Sequence, residues 1–297
     1  MGYYDVYHRA EVVATRRLTP HLLRVELGGT GLRGWSSSGF PDERLVLVLP
    51  PAGSRTVTAP TTMPDGTQDY PDPDDQPPMR SYTVRSFDAA ALRLVVDFVV
   101  HDGGVASSWA QAARPGDVVY VTEAMGWYRP PADATWQLLV ADLAGLPALA
   151  RAVEELAPTT RAYVLAEVPT AEDRLEVASV ADVRWSWLTG SGNDVGPSRL
   201  AEAVAGFDAP AGPGYVWFAG EAATSRAVRK HLRHDRGWPG ARCTTLGYWR
   251  LDAERWDARY AEVAPSLESV YADAVAAGVS SDEALELYDE ALERAGL

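Results

Sequence analysis

Short runs of alternating or continuous apolar residues fill the chain up to about residue 130. Residues 92–100, Leu-Arg-Leu-Val-Val-Asp-Phe-Val-Val, predict a half-buried strand because apolar and polar positions alternate. The pattern over 10–27 predicts two strands, and the apolar runs 45–49 and 118–122 predict one strand each. Short strands separated by turn residues are typical of an antiparallel barrel. We therefore expect an N-terminal β-barrel.

Two other segments of this region are predicted to be loops. Gly29 to Gly34 matches GxGxxG formally, but a dinucleotide fingerprint must open a helix. Here Trp35 is followed by Ser36-Ser37-Ser38-Gly39, so we reject the match. Residues 50–79 carry many Pro, Gly and Asp without periodicity, which predicts a long surface loop.

The pattern changes at Trp136, where apolar runs begin to alternate with helical segments. Such alternation predicts a parallel sheet with helices on its faces. The predicted strands are 137–141, 162–168, 183–188 and 215–219, and the predicted helices are 147–156, 197–205 and 221–233. Ligands of such sheets bind beyond the carboxyl ends of the strands. Those ends are Asp142, Glu167, Thr189 and Gly220-Glu221.

The last part of the chain is predicted to be helical. Residues 266–276 and 282–295 are amphipathic, and Ser280 to Glu283 forms a capping-box pattern. This helical hairpin either packs on its own chain or forms a dimer or regulatory contact. The fold prediction is thus a two-domain protein, an antiparallel β-barrel followed by a parallel-sheet α/β domain, with a C-terminal helical extension. The predicted domains are 1–133, 134–250 and 251–297.

Composition and charge narrow the classes of partner. The chain has 297 residues, 46% of them hydrophobic, with a net charge of -14. This balance argues against nucleic acid, which needs a basic face. Any anion site must be built from local arginines. The single cysteine, Cys243, allows no internal disulfide, no apolar run reaches the ~20 residues of a membrane span, and the N-terminus lacks a secretory pattern. We expect a cytoplasmic protein, either a monomer or a homodimer.

The stretch Arg80-Ser81-Tyr82-Thr83-Val84-Arg85 is the first candidate for chemistry. An Arg, an aromatic ring and a hydroxyl at alternate strand positions can face one side together. Arg grips a pyrophosphate with parallel hydrogen bonds, Tyr stacks on a heteroaromatic ring, and Thr bonds the ring edge. An ordinary barrel strand with a salt-bridged Arg is the alternative.

A second candidate is the turn His101-Asp102-Gly103-Gly104, which leads into small residues and a helix-forming stretch. Backbone N–H groups at a helix start let a phosphate approach closely when the side chains are small. A simple turn and helix cap is the alternative.

Motifs in one consistent order now identify a resemblance. The stretches are LTPH at 18–21, RSYTVR at 80–85, DFVVHDGGVASSWA at 97–110, PGD at 115–117, LPALARAVEEL at 146–156, VWFAGEA at 216–222 and GYWR at 247–250. Together they resemble the siderophore-interacting protein family of FAD-binding ferric-siderophore reductases, whose fold is ferredoxin reductase-like. The resemblance implies NAD(P)H-driven reduction of a ferric siderophore, which releases Fe(II).

The resemblance also implies roles for residues. Arg80 would face the FAD pyrophosphate, Tyr82 would stack on the isoalloxazine, and Thr83 would bond its edge. The rest of the implied FAD cleft consists of Ser81, Asp97, Val99, His101, Val105, Ala106, Ser107 and Trp109. NADH or NADPH would dock near Asp142, Gly220 and Glu221, with Trp249 close to the flavin. No side chain is expected to act as a catalytic acid or base, and no metal-ligand set is predicted.

The chain departs from the family pattern at three places. Glu123-Ala124-Met125-Gly126 replaces Gly-Pro-Arg-Gly, Val46 stands where a Lys is usual, and Ala141-Asp142-Leu143-Ala144 replaces Gly-Asp-Glu-Thr. The first two changes remove positive charge that would attract an anionic chelate, which favours a neutral or hydroxamate chelate. The altered segments 123–126 and 141–144 also leave open a biosynthetic enzyme or a non-reducing binding protein on the same scaffold.

The choice between NADH and NADPH stays open at this point. A 2′-phosphate needs Arg partners, and Arg226 and Arg229 are candidates, although surface helix charges are the alternative. Arg44, Arg129 and Arg250 are candidates to replace the missing positive charge.

Overall fold

The computed structural model describes residues 6–72, 76–251, 253–279 and 281–295. Its N-terminal sheet has seven strands in the order β6-β3-β9-β1-β2-β8-β7. The strands are β1 (Tyr7–Thr19), β2 (Leu22–Gly28), β3 (Arg44–Val48), β6 (Met79–Thr83), β7 (Ser86–Asp88), β8 (Arg93–Val99) and β9 (Val118–Thr122). A short hairpin, β4 (Thr61–Thr62) with β5 (Gln68–Asp69), interrupts the predicted loop. Gly29 to Gly34 opens only a three-residue 3-10 turn, Thr30–Leu32.

The sheet closes on itself as a barrel. Its two end strands, β6 and β7, follow each other directly in the chain, and β6 pairs with β3 while β7 pairs with β8. Inward-facing side chains such as Val25, Leu47 and Phe98 are fully buried in its core. The helix α1 (Val105–Ala112) packs beside β8. The predicted antiparallel barrel is confirmed.

The second sheet is parallel, in the order β12-β11-β10-β13-β14. Its strands are β10 (Trp136–Ala141), β11 (Arg161–Val168), β12 (Asp182–Thr189), β13 (Gly214–Glu221) and β14 (Cys243–Trp249). The helices are α2 (Leu146–Glu154), α3 (Leu200–Ala205) and α4 (Ala222–Lys230). The parallel α/β prediction is confirmed, but β14 was not predicted. Its segment is short and half-buried, so it lacks the continuous apolar run of the central strands.

A helical hairpin ends the described chain. It consists of α5 (Ala253–Ala276), which starts earlier than predicted, and α6 (Ser281–Arg294). The two helices pack on each other through a cluster that includes Leu267 and Leu292. Their contacts with the α/β domain include the ion pair of Arg229 with Asp289 and the Arg250 guanidinium over the Trp256 ring. The predicted capping box falls on residues whose placement or side chains lie outside the description.

Buried polar contacts fix the barrel against the α/β domain. Asp173, which follows β11, accepts hydrogen bonds from the Thr19 hydroxyl and the His21 amide, at 2.8 and 3.0 Å. Glu43, fully buried, accepts from Arg151 of α2 at 2.8 Å. These side chains hold the two sheets in one arrangement. The boundaries predicted after residues 133 and 250 stay a prediction. No helix in the described ranges is long and apolar enough to cross a bilayer.

Candidate functional site

The strand β6 separates the side chains that were predicted to act together. Successive residues of a strand point to opposite faces, so Arg80 and Tyr82 share one face while Ser81 and Thr83 occupy the other. The Tyr82 ring lies 4.2 Å from the Phe98 ring, centroid to centroid, and burial raises the pKa of its hydroxyl. Thr83 is buried on the opposite face. The expectation of one shared face for Arg, Tyr and Thr is therefore wrong in its geometry.

The turn from His101 to Ser107 is closed by its own side chains. The Ser107 hydroxyl donates to the His101 carbonyl at 2.7 Å and accepts from the His101 amide at 3.0 Å. Gly103 and Gly104 both have φ of 78°, a left-handed conformation that favours glycine. A Cβ on Gly104 would lie 2.9 Å from the His101 ring. The sequence therefore shapes this turn around a close backbone approach.

The start of α1 is open to an acceptor. No side chain caps this helix, so the first N–H groups, on Val105, Ala106 and Ser107, have no intrahelical partner. A helix start of this kind attracts anions through its free donors and its dipole.

Arg80 lies on the side of the barrel that carries this turn. Strands β6 and β8 run in opposite directions and meet where Tyr82 contacts Phe98, so residues before Tyr82 lie toward the end of β8. The Arg80 guanidinium is exposed and donates only to its neighbour's carbonyl, on Met79, at 2.8 Å. Among the described residues it has no carboxylate partner. A free guanidinium, an uncapped helix start and a half-buried aromatic ring fit the pyrophosphate and ring of FAD.

Other predicted cleft residues serve the scaffold. Asp97 is buried and receives two hydrogen bonds from Arg24, at 2.7 and 2.8 Å. Val99 packs against the core of the α/β domain. Trp109 lies 5.5 Å from Phe98, and its buried indole N–H has no partner among the described residues. Asp97 and Val99 thus position β8, while the Trp109 N–H is free to donate.

The predicted nicotinamide-side residues do meet at one edge of the parallel sheet. The Asp142 carboxylate accepts from the Ala144 and Gly145 amides through Oδ1, and from the Glu221 amide and the Trp249 indole through Oδ2. Burial raises its pKa to about 6. A Cβ on Gly220 would lie 2.9 Å from Asp142 Oδ2.

Two carboxylates at this edge accept hydrogen bonds from the protein itself. The four N–H donors described above occupy both oxygens of Asp142. Glu221 caps α4 by accepting from the Thr224 amide at 2.8 Å. These side chains therefore shape the edge of the sheet.

A loop that the sequence reading did not single out covers the same edge. The Asn193 side-chain oxygen accepts from the Leu143 amide at 3.1 Å. Asn193 and Asp194 have φ of 47° and 66°, which non-glycine residues adopt rarely. Behind them, Glu167 accepts from Ser191 and from the Arg199 amide. A turn signal, Gly190-Ser191-Gly192-Asn193, was available in the sequence.

The second feature that the sequence analysis missed is the environment of Arg44, which includes two aromatic rings. Its guanidinium carbon lies 4.6 Å from the Trp127 ring centre and 4.5 Å from the Tyr248 ring centre. In the sheet Arg44 pairs with Thr83, and Tyr248 lies near that threonine without a hydrogen bond of good geometry. Burial raises the pKa of the Tyr248 hydroxyl. This face therefore brings Thr83 next to a cation held between two rings.

Of the other arginines that were candidates to bind an anion, Arg229 donates to the Thr245 hydroxyl and pairs with Asp289. The Arg250 guanidinium lies over the Trp256 ring, and that of Arg129 lies 4.2 Å from the Phe40 ring centre.

Comparison with known proteins decides the family. Residues 11–127 match the siderophore-interacting FAD-binding domain, and residues 134–252 match the siderophore-interacting protein family. An Escherichia coli NADPH-dependent ferric-chelate reductase is 31% identical over 82% of this chain and 92% of its own. The chain belongs to the siderophore-interacting protein family.

Solved structures agree with this assignment. A siderophore utilization protein from T. fusca is 33% identical, with a TM-score of 0.75, over 84% of this chain and 95% of its own. A ferredoxin NADP+ reductase from Neisseria gonorrhoeae, 14% identical with a TM-score of 0.58 over 82% of this chain and 99% of its own, shares the fold. This siderophore-interacting protein is a flavin-dependent oxidoreductase and its cofactor is FAD. Its helical hairpin after residue 252 lies beyond both family matches.

Proposed function

We propose that this protein uses NADH or NADPH and bound FAD to reduce a ferric siderophore, releasing Fe(II) in the cytoplasm. The observation that carries the proposal is the unpaired Arg80 beside the uncapped start of α1, on a barrel that belongs to the siderophore-interacting FAD-binding domain. A relative of the chain is named a ferric-chelate reductase, which supports the substrate class.

In this proposal the barrel holds FAD by its phosphates and its ring. Arg80 and the N–H groups of Val105 and Ala106 bind the pyrophosphate, and Tyr82 contacts the isoalloxazine. Thr83 bonds the ring edge, with Tyr248 beside it. Ser107 contributes indirectly, because its hydroxyl closes the turn from His101.

Bound FAD would supply the chemistry that links a two-electron hydride donor, the nicotinamide, to two Fe(III) chelates that each accept one electron. The protein's own residues place the three reactants and exclude water. Iron leaves because oxygen ligands hold Fe(II), with its lower charge, less tightly than Fe(III). This chemistry requires no side chain to give or take a proton.

The nicotinamide is proposed to lie at the carboxyl edge of β10 and β13, against Gly220 and the Trp249 ring. Asp142 holds this edge by tying Trp249 to the Glu221 amide. Because Arg229 is engaged with Thr245 and Asp289, it is not available for a 2′-phosphate in this arrangement.

An anaerobic titration tests the proposal. Purified holoprotein should lose its yellow flavin absorbance on addition of NADH or NADPH, and regain it on addition of a ferric tris-hydroxamate. A ferrous-specific colorimetric chelator should record two Fe(II) per nicotinamide oxidised. The matching gallium(III) chelate, which has the charge of the ferric complex but does not accept an electron, is the control and should not restore the colour.

The alternative function gives a different result. A biosynthetic enzyme or a binding protein on the same scaffold is favoured by the altered segments 123–126 and 141–144. In that case the protein is yellow but neither nicotinamide bleaches it, or the reduced flavin persists with every ferric chelate offered.

A further inference from the structure

Arg44 is a partly buried cation without an anionic partner. No carboxylate among the described residues lies within ion-pair distance of it, and its side chain donates no hydrogen bond to them. Its Nε is buried and unpaired. The rings of Trp127 and Tyr248 lie against its charge.

This state is unusual for the chain itself. Arg24 and Arg151, which are also largely buried, each pair with a fully buried carboxylate, Asp97 and Glu43 respectively. Burying a guanidinium without hydrogen-bond acceptors costs free energy that two ring contacts repay only in part. A site that retains such a group and holds it rigidly by stacking is preorganised for an anionic or strongly polar ligand.

The strand pairing of Arg44 shows which side chains lie beside its guanidinium. Residues directly opposite each other in an antiparallel pair project to the same face. Arg44 pairs with Thr83 on one side and with Met125 on the other, through hydrogen bonds of 2.8 and 3.0 Å to the Met125 backbone. The side chains of Thr83, Arg44 and Met125 therefore form one row.

The surroundings of this row limit the charge of the ligand. Val46, two residues after Arg44, lies on the same strand face and is apolar, as is Met125. Asp42 and Glu43, which precede Arg44, are fully buried and accept hydrogen bonds from the Trp127 amide and from Arg151. Glu123 is held by the His8 ring at 2.8 Å. The face thus offers one cation, an apolar rim and a carboxylate close by, which repels multiply charged anions.

We propose that Arg44 anchors the ferric chelate by donating to an iron-bound ligand oxygen, and that this site selects chelates with no more than one negative charge, such as tris-hydroxamates. The inference rests on the proposed reductase function and names its substrate class. Tris-catecholate chelates, which carry three negative charges, are disfavoured at a face with a single cation.

Binding of gallium(III) chelates tests the inference without turnover. The probes are a neutral gallium(III) tris-hydroxamate and a gallium(III) tris-catecholate, titrated by calorimetry into FAD-loaded protein. The wild type should bind the tris-hydroxamate at least about tenfold more tightly than the tris-catecholate. Arg44→Gln should weaken tris-hydroxamate binding about tenfold or more, the loss expected for a charge-assisted hydrogen bond. Arg44→Lys keeps the charge without the planar fork and should fall between the two.

A matched control removes the same charge elsewhere. Arg16→Gln lies on an exposed part of β1 and should leave both dissociation constants unchanged. Flavin content and midpoint potential, measured for every variant, report whether the FAD site is intact. A less than twofold change in tris-hydroxamate binding by Arg44→Gln overturns the inference, and so does tighter binding of the tris-catecholate by wild type.

A shifted midpoint potential with unchanged chelate binding also overturns it, because Arg44 then acts on the flavin. Failure of the proposed function has a separate signature, since it appears as a flavin that neither nicotinamide reduces. If Arg44→Gln does not fold, Arg44→Lys and the preference of the wild type between the two chelates still decide the question.

Discussion

Replacing Arg151 should destabilise the contact between the barrel and the α/β domain. Its guanidinium donates to the Glu43 carboxylate and to the Val84 carbonyl, both at 2.8 Å, and it is itself 8% exposed. Glu43 is fully buried and immediately precedes Arg44. The change Arg151→Met keeps most of the side-chain volume but leaves the Glu43 carboxylate without its counter-charge.

The expected cost is large because a buried charge loses its partner. Breaking a buried pair on one side costs about 3–5 kcal/mol. Glu43 keeps its hydrogen bonds from Ser37 and Ser38, so we expect the lower end, about 3 kcal/mol. In the double variant Glu43→Gln/Arg151→Met no charge is stranded, and it should recover about 1–2 kcal/mol relative to Arg151→Met alone.

Urea unfolding of the FAD-loaded protein, followed by tryptophan fluorescence and by flavin release, measures these differences. Two probes are needed because a two-domain chain does not guarantee one transition. Flavin should leave Arg151→Met at lower urea than the wild type. The reasoning is refuted if Arg151→Met costs under about 1 kcal/mol, or if the two single changes simply add in the double variant.

Three further substitutions test the sheet edge at Asp142 and the proposed FAD site of the barrel. Since burial raises the pKa of Asp142 to about 6 from 3.8, the wild type should gain about 2 kcal/mol over Asp142→Asn as pH falls from 7 to 4, measured as paired unfolding curves; a pH-independent difference would contradict this. Arg80→Gln should weaken FAD binding by about tenfold to a hundredfold, whereas Arg16→Gln should not, as flavin retention on ultrafiltration will show. Ser107→Ala opens the turn before α1 and should weaken FAD binding about fivefold, against no change for the exposed Ser108→Ala; equal retention by both would refute the role.

The architecture was predictable because its signals are local. The alternation over 92–100 and the apolar runs beginning at Trp136 fix strand type within a few residues. The pair Gly103-Gly104 before small residues likewise predicts the open start of α1. Strand β14 was not predicted because its side chains are only half-buried, so neither alternation nor a continuous apolar run marks it.

The candidate site was predictable only in part because its chemistry depends on distant partners. Nothing near Arg44 in the sequence indicates that Trp127 and Tyr248 hold it, since both lie far along the chain. Thr83 was grouped with Tyr82 by sequence adjacency, whereas strand geometry places it with Arg44 on the other face. Asp142 was predicted to contact a ligand, but it accepts four hydrogen bonds from the protein itself. Two of these come from Glu221 and Trp249, which are distant in sequence, so the sequence does not reveal them.

The acidic and basic groups near the candidate site have different roles. Asp97, Asp142 and Glu221, the carboxylates that the sequence offered for chemistry, are all occupied as acceptors inside the scaffold. Among the described residues, Arg80 and Arg44 have no carboxylate partner, and no side chain caps the start of α1. In a chain of net charge -14, such donors favour anion binding locally, against a field that repels anions on average. Donors of this kind next to aromatic rings are suited to hold phosphates, a flavin and a chelate in place.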